Sequence, residues 1–336
     1  MERKPLFGAR AAQLAQQEAA DMASGIWASW LCDAIRKHKY DDMLTLLRGS
    51  DRFPRPREAV LAGLKLDGIQ GNSSARMLAQ VCMDSSNVHA LALIAEQQPS
   101  GITLADCCRS YVKSGVLEVS SDLSLLQLSM KYGNAEALRL ALKYESGHPC
   151  VSGTEDIFRG GSVHYEALRE AVTSTNCAAS ALYAKCCRVA LEFGLPFAHT
   201  RAEGVSTMSD LFFRNRWNRD HLGAVLVPLL ADYVKAGLLD LDAVNTNGHR
   251  PVAAAIFVGN GEAAAAAIDL GCDLKGAIQG TAAADLLALA GEQCTGEAVA
   301  QVTAALMRRQ VRNPAAQEGT KLATIQPSRR AARIGL

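Results

Sequence analysis

Aromatic residues are scarce, 5% of the 336 positions, so the interior cannot be built around large rings. Charge of one sign is missing too. Lys and Arg total 35 against 34 for Asp and Glu. That balance leaves no net field to attract a polyanion, and nucleic acid is not an expected partner. Cys-x-x-Cys is absent among the ten cysteines, and with it the usual zinc knuckle and dithiol motifs. No apolar run is long enough to span a bilayer. The opening residues Met1-Glu2-Arg3-Lys4-Pro5 lead into no continuous apolar stretch. A signal peptide is therefore not expected, and synthesis in the cytoplasm is.

What is present is alanine, 56 residues of it. Ala has the best helix propensity and lets helices approach closely, whereas sheets draw on Val, Ile, Thr and aromatics. An all-α fold follows. Cysteine fits the same picture, because Cys107-Cys108 and Cys186-Cys187 are adjacent pairs and most of the others lie among Ala and Leu. There a free thiol behaves as a small hydrophobe in a reducing compartment.

One internal repeat is written clearly between residues 247 and 274. Asn247-Gly248 is a turn dipeptide, and Pro251 suits the first turn of a helix, where its missing N–H costs nothing. Val252 to Val258 is about two apolar turns, stopped by Gly259-Asn260-Gly261. Glu262 then favours the start of the next helix, which runs through five alanines to a C-terminal Gly271.

The stretch Gly248-His249-Arg250-Pro251-Val252-Ala253 resembles the Gly-x-Thr-Pro-Leu-His core of the ankyrin repeat, and Gly259, Glu262, Gly271 and Asp273 continue the match. Arg250 in place of Thr and Ala253 in place of His depart from the pattern and imply a looser turn. The resemblance implies stacked helix pairs that bind another protein through finger tips and inner helices, without catalytic residues or a cofactor. On the clearest repeat the tip is Asn245, Thr246, Asn247 and His249. The Ala-rich, decayed repeats are also similar to bacterial ankyrin-repeat proteins, some of which are secreted effectors acting on host proteins. That likeness implies virulence-related delivery into a host cell.

A second copy, Leu125 to Leu142, shares the Gly-Asn-x-Glu-Ala turn as Gly133-Asn134-Ala135-Glu136-Ala137. Fainter pairs break at Lys39 to Asp42, Asp84 to Asn87, Thr173 to Asn176, Trp217 to Asp220 and Cys294 to Glu297. About seven antiparallel helix pairs result, and the expected architecture is an all-α solenoid. Successive breaks lie roughly 35 to 47 residues apart, against an ankyrin period of about 33, so HEAT- or armadillo-like pairs are the alternative. The excess falls in Gly49 to Arg57, Glu145 to Gly161 and Pro196 to Ser206, which read as enlarged inter-repeat loops. The expected divisions are residues 1–26 as a leader with a cap helix at Ala11 to Met22, 27–311 as the solenoid and 312–336 as a basic, disordered tail.

Three stretches could carry chemistry. His148-Pro149-Cys150 with His164-Tyr165-Glu166 close behind would suit a thiol activated by a His, the basis of an alternative reading as a hydrolase or transferase. Asp67 to Ser74 is Gly-rich but lacks the Gly-Lys-Ser/Thr of a phosphate loop, and no strand is expected before it. Phe212 to His221 interleaves aromatics with Arg, which suits a core with a charged rim or a protein hot spot. The candidate partner contacts are thus Arg214, Arg216, Trp217, Asn245, Asn247 and His249, with no metal ligand and no cofactor-binding residue assigned.

Overall fold

A computed structural model describes residues 25–65, 75–114, 117–148, 151, 157, 161–174, 176–198, 208–213, 217, 222–245, 248–274 and 285–312. The expected cap helix at 11–22, and all of the expected tail except Arg312, lie outside these residues. The chain divides into two compact units, Met1–Ala167 with Glu192–Thr200, and Leu168–Leu191 with Arg201–Leu336.

Helix dominates, as the alanine content requires. The first unit holds α1 (residues 25–36), α2 (Tyr40–Arg48), α3 (Pro56–Leu61), α4 (Leu78–Asp84), α5 (Val88–Gln97), α6 (Leu104–Cys107), α7 (Leu125–Tyr132) and α8 (Ala135–Tyr144). Next come α9 (Val163–Thr173) and α10 (Cys177–Glu192), followed by α11 (Met208–Phe213), α12 (Gly223–Lys235), α13 (Pro251–Phe257), α14 (Gly261–Asp269), α15 (Asp285–Gln293) and α16 (Gly296–Arg312) in the second unit. The sequence reading contained no strands, yet two small antiparallel hairpins interrupt the helices: β1 (Leu64–Lys65) with β2 (Ala75–Arg76), and β3 (Arg109–Ser114) with β4 (Leu117–Asp122). A strand therefore does precede the Gly-rich stretch at 67, although residues 66–74 themselves lie outside the described residues.

Consecutive helices pack on one another at α4–α5, α7–α8, α13–α14 and α15–α16, and short connections also join α1 to α2 and α9 to α10. Four of these pairs are joined by one backbone device. A left-handed residue ends the first helix at His38 (φ 54), Ser86 (φ 51), Gly133 (φ 60) and Gly259 (φ 73). The next residue then donates its N–H five residues back: Lys39 to Ala34 (2.9 Å), Asn87 to Cys82 (2.8 Å), Asn134 to Ser129 (2.9 Å) and Asn260 to Ala255 (2.8 Å). In these four turns the acceptor carbonyl belongs to a small residue, Ala, Cys or Ser. Three of these turn residues are Asn, and each side chain caps the second helix by accepting the N–H of an alanine, Ala90 (3.3 Å), Ala137 (3.0 Å) or Ala263 (3.1 Å). Asn176 caps α10 through Ala179 in the same way, at 2.8 Å. A cap of this type contributes about 1 kcal/mol.

Within each unit the second helices of successive pairs are tied by polar contacts. In the first, Arg48 donates to Gln97 (3.1 Å), Lys143 meets Glu96 (4.0 Å) and Arg139 meets Glu192 (2.6 Å). In the second, Arg188 meets Asp232 (2.8 Å) and Arg308 meets Asp269 (2.6 Å). These pairs are exposed, so each adds at most about 1 kcal/mol, and they set register more than stability. Burial supplies the cohesion, through Leu31, Ile35, Met43, Leu78, Leu91 and Ile94 in the first unit and Phe212, Phe213, Tyr233 and Leu230 in the second. Alanine makes close approach possible. A Cβ on Gly261 would collide with the Cα and Cβ of Ala298, which shows how tightly α14 and α16 pack.

Of the nine described cysteines, seven are buried and two half-buried. Burial pushes the Cys32 thiol up to about 11, and those of Cys186 and Cys272 up to about 12. This is the behaviour of small interior hydrophobes.

Candidate functional site

The expected finger tip of the clearest repeat is a tight turn. Asn245 donates its N–H to the His249 carbonyl (2.9 Å), and Gly248, at φ 76, donates back to the Asn245 carbonyl (3.0 Å). The Asn245 side chain accepts the His249 N–H at 2.9 Å, so the two candidates are brought together. Thr246 and Asn247 lie outside the described residues. His249 stacks its imidazole on Phe257, at the end of α13, with ring centroids 4.4 Å apart and planes 21° from parallel. Phe257 is 38% exposed and Val244 56%, so a ring pair and an aliphatic side chain face solvent beside the turn.

Arg250 does not loosen this turn. Its guanidinium meets the Asp273 carboxylate at 2.8 Å and the Asp242 carboxylate at 3.8 Å, and also donates to the Asp273 carbonyl at 3.1 Å. Asp273 in turn donates its backbone N–H to Asp242 (2.6 Å). Two loops about one repeat apart are thereby knitted together. The bond to Asp273 holds the Arg250 pKa above its ordinary value. Sequence reasoning missed this clamp, and Phe257 as well. The legible signal was an Arg where the ankyrin pattern has Thr, with aspartates eight residues before and 23 after it.

The other candidates fare differently. Trp217 is 2% exposed and its indole N–H is buried without a partner. It is a core side chain and cannot be a surface contact, which corrects that expectation: in a chain so poor in aromatics, Phe212, Phe213 and Trp217 fill the interior. Arg214 and Arg216 lie outside the described residues.

The Cys and His region resolves into a structural strap. Ser162 exchanges backbone and side-chain bonds with residues 196–198: its hydroxyl donates to the Pro196 carbonyl (2.8 Å) and accepts the Ala198 N–H (3.1 Å), while its own N–H donates to Ala198 (2.8 Å). His164 is fully buried, and its Nδ1 lies 2.9 Å from the Leu195 carbonyl. A carbonyl only accepts, so Nδ1 carries the proton. Burial pushes the imidazole pKa below its usual value, against the smaller opposite effect of the Leu195 bond. The ring of Phe197 closes over it edge to face, with centroids 5.6 Å apart. Cys150, the thiol of the alternative reading, lies outside the described residues. Among the described residues, no three His, Cys, Asp or Glu side chains are grouped to hold a metal ion, and no helix is long and apolar enough to cross a membrane.

Compared with protein-family models, with curated proteins and with solved structures, the chain matches none of them.

Proposed function

We propose that the chain is a protein-binding scaffold of ankyrin-like helix pairs, with the finger tip at Asn245 and His249 and the adjoining Phe257 as a contact surface for another protein. One observation carries the reading. A left-handed residue closing the first helix recurs in four of the pairs, with the same backbone bond to a small residue five positions back, and in three of the four an Asn cap follows it. A device repeated along the chain builds a series of similar edges and loops, and such arrays serve as extended recognition surfaces. The exposed His249–Phe257 stack adds the rigid aromatic area that interface hot spots favour. Delivery of the protein into a host cell is the outer part of the same reading and rests on the resemblance alone.

The test is capture of a partner by the intact protein, followed by His249→Ala with Phe257→Ala. We expect a stoichiometric protein partner whose dissociation constant rises at least tenfold in the double variant while the unfolding temperature changes little. Undiminished binding by a folded double variant would remove this surface from the reading. A turnover reaction that survives alkylation of every accessible thiol and the double substitution would replace the scaffold reading with an enzymatic one.

A further inference from the structure

Val311 is the most exposed large apolar side chain among the described residues, at 82%, and Met307, one turn before it on α16, is 52% exposed. Ala300 and Ala304 continue the same line toward the start of the helix, the first exposed and the second half-buried. The four recur at the spacing of one helix face. Ala298, Val302 and Ala305 are buried on the opposite face, so α16 already commits its other side to the core. A helix packed on a globular body needs one apolar face, and the second calls for a cover of its own.

We propose that this face binds the same face of a second copy of the chain, with the two α16 helices antiparallel. The pattern is its own complement in that direction. A two-fold axis through the midpoint between Ala305 and Leu306 sets Ala300 against Val311 of the second copy, and Ala304 against its Met307, small against large at every contact. A parallel pairing would set Ala on Ala at one end and Val on Val at the other, leaving a gap and a crowded joint. Charge selects the same direction. Glu297 lies exposed in the first turn of α16 and Arg312 exposed at its end. Antiparallel packing brings each within a long side chain's reach of its opposite on the second copy, whereas parallel packing puts like charge on like. Seventeen helical residues span about 25 Å, so the joint buries roughly 1,000 Å² in all, the low end for a specific interface. That area suits a reversible dimer that dissociates in the micromolar range.

Sedimentation velocity of the full-length protein under reducing conditions, from about 1 µM to about 200 µM, tests this. We expect a monomer–dimer equilibrium whose midpoint falls within that range. Met307→Glu with Val311→Glu changes only exposed side chains. Helicity by circular dichroism should therefore be retained while the dissociation constant rises at least tenfold. At low ionic strength, where ion pairs are least screened, Arg312→Glu alone should weaken the dimer at least threefold, and Glu297→Arg added to it should restore the wild-type constant. A protein that stays monomeric across the whole range overturns the proposal, and this arm needs no variant. So does a dimer unchanged in the folded Met307→Glu, Val311→Glu protein, since another surface would then hold it. A dimer that this pair of substitutions weakens but Arg312→Glu leaves unmoved or strengthens overturns the antiparallel pairing.

Discussion

Arg57 grips Asp106, 49 residues further along the chain, through two bonds: Nε donates to Oδ2 at 3.1 Å and Nη2 to Oδ1 at 3.2 Å. Asp106 is buried, and it also accepts the N–H and hydroxyl of Thr103 at 2.9 Å each, closing a capping box at the start of α6. Burial pushes the Asp106 carboxyl up, but the Arg57 and Thr103 bonds outweigh it and hold the pKa below the ordinary 3.8. Ionised Asp106 therefore favours the folded state. That stability is fully present above the unfolded carboxylate value and is lost as pH falls through the lower folded one. Asp106→Asn should cost about 2 to 3 kcal/mol at pH 7, reduced by the exposure of the Arg57 side chain, and should flatten the stability profile between roughly pH 5 and pH 2. Urea unfolding across that range measures both effects, and an unchanged acid limb in Asp106→Asn would count against the carboxylate.

His164 adds to the same loss of stability in acid, but through its neutral form and at a higher pH. Its folded pKa lies below the ordinary 6.5, so the unfolded chain binds the proton more readily and acid favours unfolding. The contribution is complete above about pH 6.5 and is lost as pH falls below it, at no more than about 1.4 kcal/mol per pH unit. His164→Gln keeps a donor for the Leu195 carbonyl and removes the titration. The expected outcome is a lower stability at pH 7.5 that no longer declines between pH 6.5 and pH 5.5. Chemical denaturation at those three pH values decides it, and a variant that still loses stability over the same interval would show that another group titrates there.

Much of this architecture was legible because it rests on local rules. Gly133-Asn134 and Gly259-Asn260 announce a left-handed stop followed by a cap, and the structure has both. Ser86-Asn87 builds the same turn without glycine, at a backbone angle unusual for serine, so its pattern is fainter than its geometry. His38-Lys39 keeps the backbone turn and drops the cap altogether. The hairpin at β3 and β4 was missed because Arg109 to Asp122 is polar and short of the β-branched runs that mark strands. At the candidate site, Asn245 and His249 were legible from the repeat register. The Arg250 clamp was not, because its partners come from two separate loops and only folding brings them to one guanidinium. Trp217 was misplaced for a related reason: a Trp flanked by arginines looks like a hot spot, and burial depends on neighbours far along the chain.

Thiol reactivity should follow burial. Cys32, Cys82, Cys107, Cys108, Cys186, Cys187 and Cys272 are all buried, and burial raises every one of these thiols above its ordinary 9.0. At pH 8 the native protein should leave these seven unmodified by iodoacetamide over an hour, and denaturant should expose the four of the first unit together and the three of the second together as each unit unfolds. Peptide mapping of the alkylated protein identifies each site. Rapid native labelling of Cys82 or Cys107, both fully buried, would mean that the first unit opens locally.

Gly261 tests whether packing or propensity governs the chain. Alanine gains up to about 1 kcal/mol over glycine inside a helix, less at the first helical position that Gly261 occupies in α14. Against that gain stands the collision of the new methyl group with the Cβ of Ala298 and with its backbone Cα and carbonyl oxygen, none of which can swing aside. Overpacking of this kind typically costs about 1 to 3 kcal/mol, so Gly261→Ala should be destabilising in spite of its better propensity. Adding Ala298→Gly removes one of the colliding atoms and leaves the backbone in place, so it should recover only part of the loss. Asn260→Ala, one residue earlier, should cost about 1 kcal/mol by a separate route, the lost cap on Ala263. Thermal unfolding of the three variants ranks the effects, and a Gly261→Ala protein as stable as the parent would show that α14 and α16 can part without penalty.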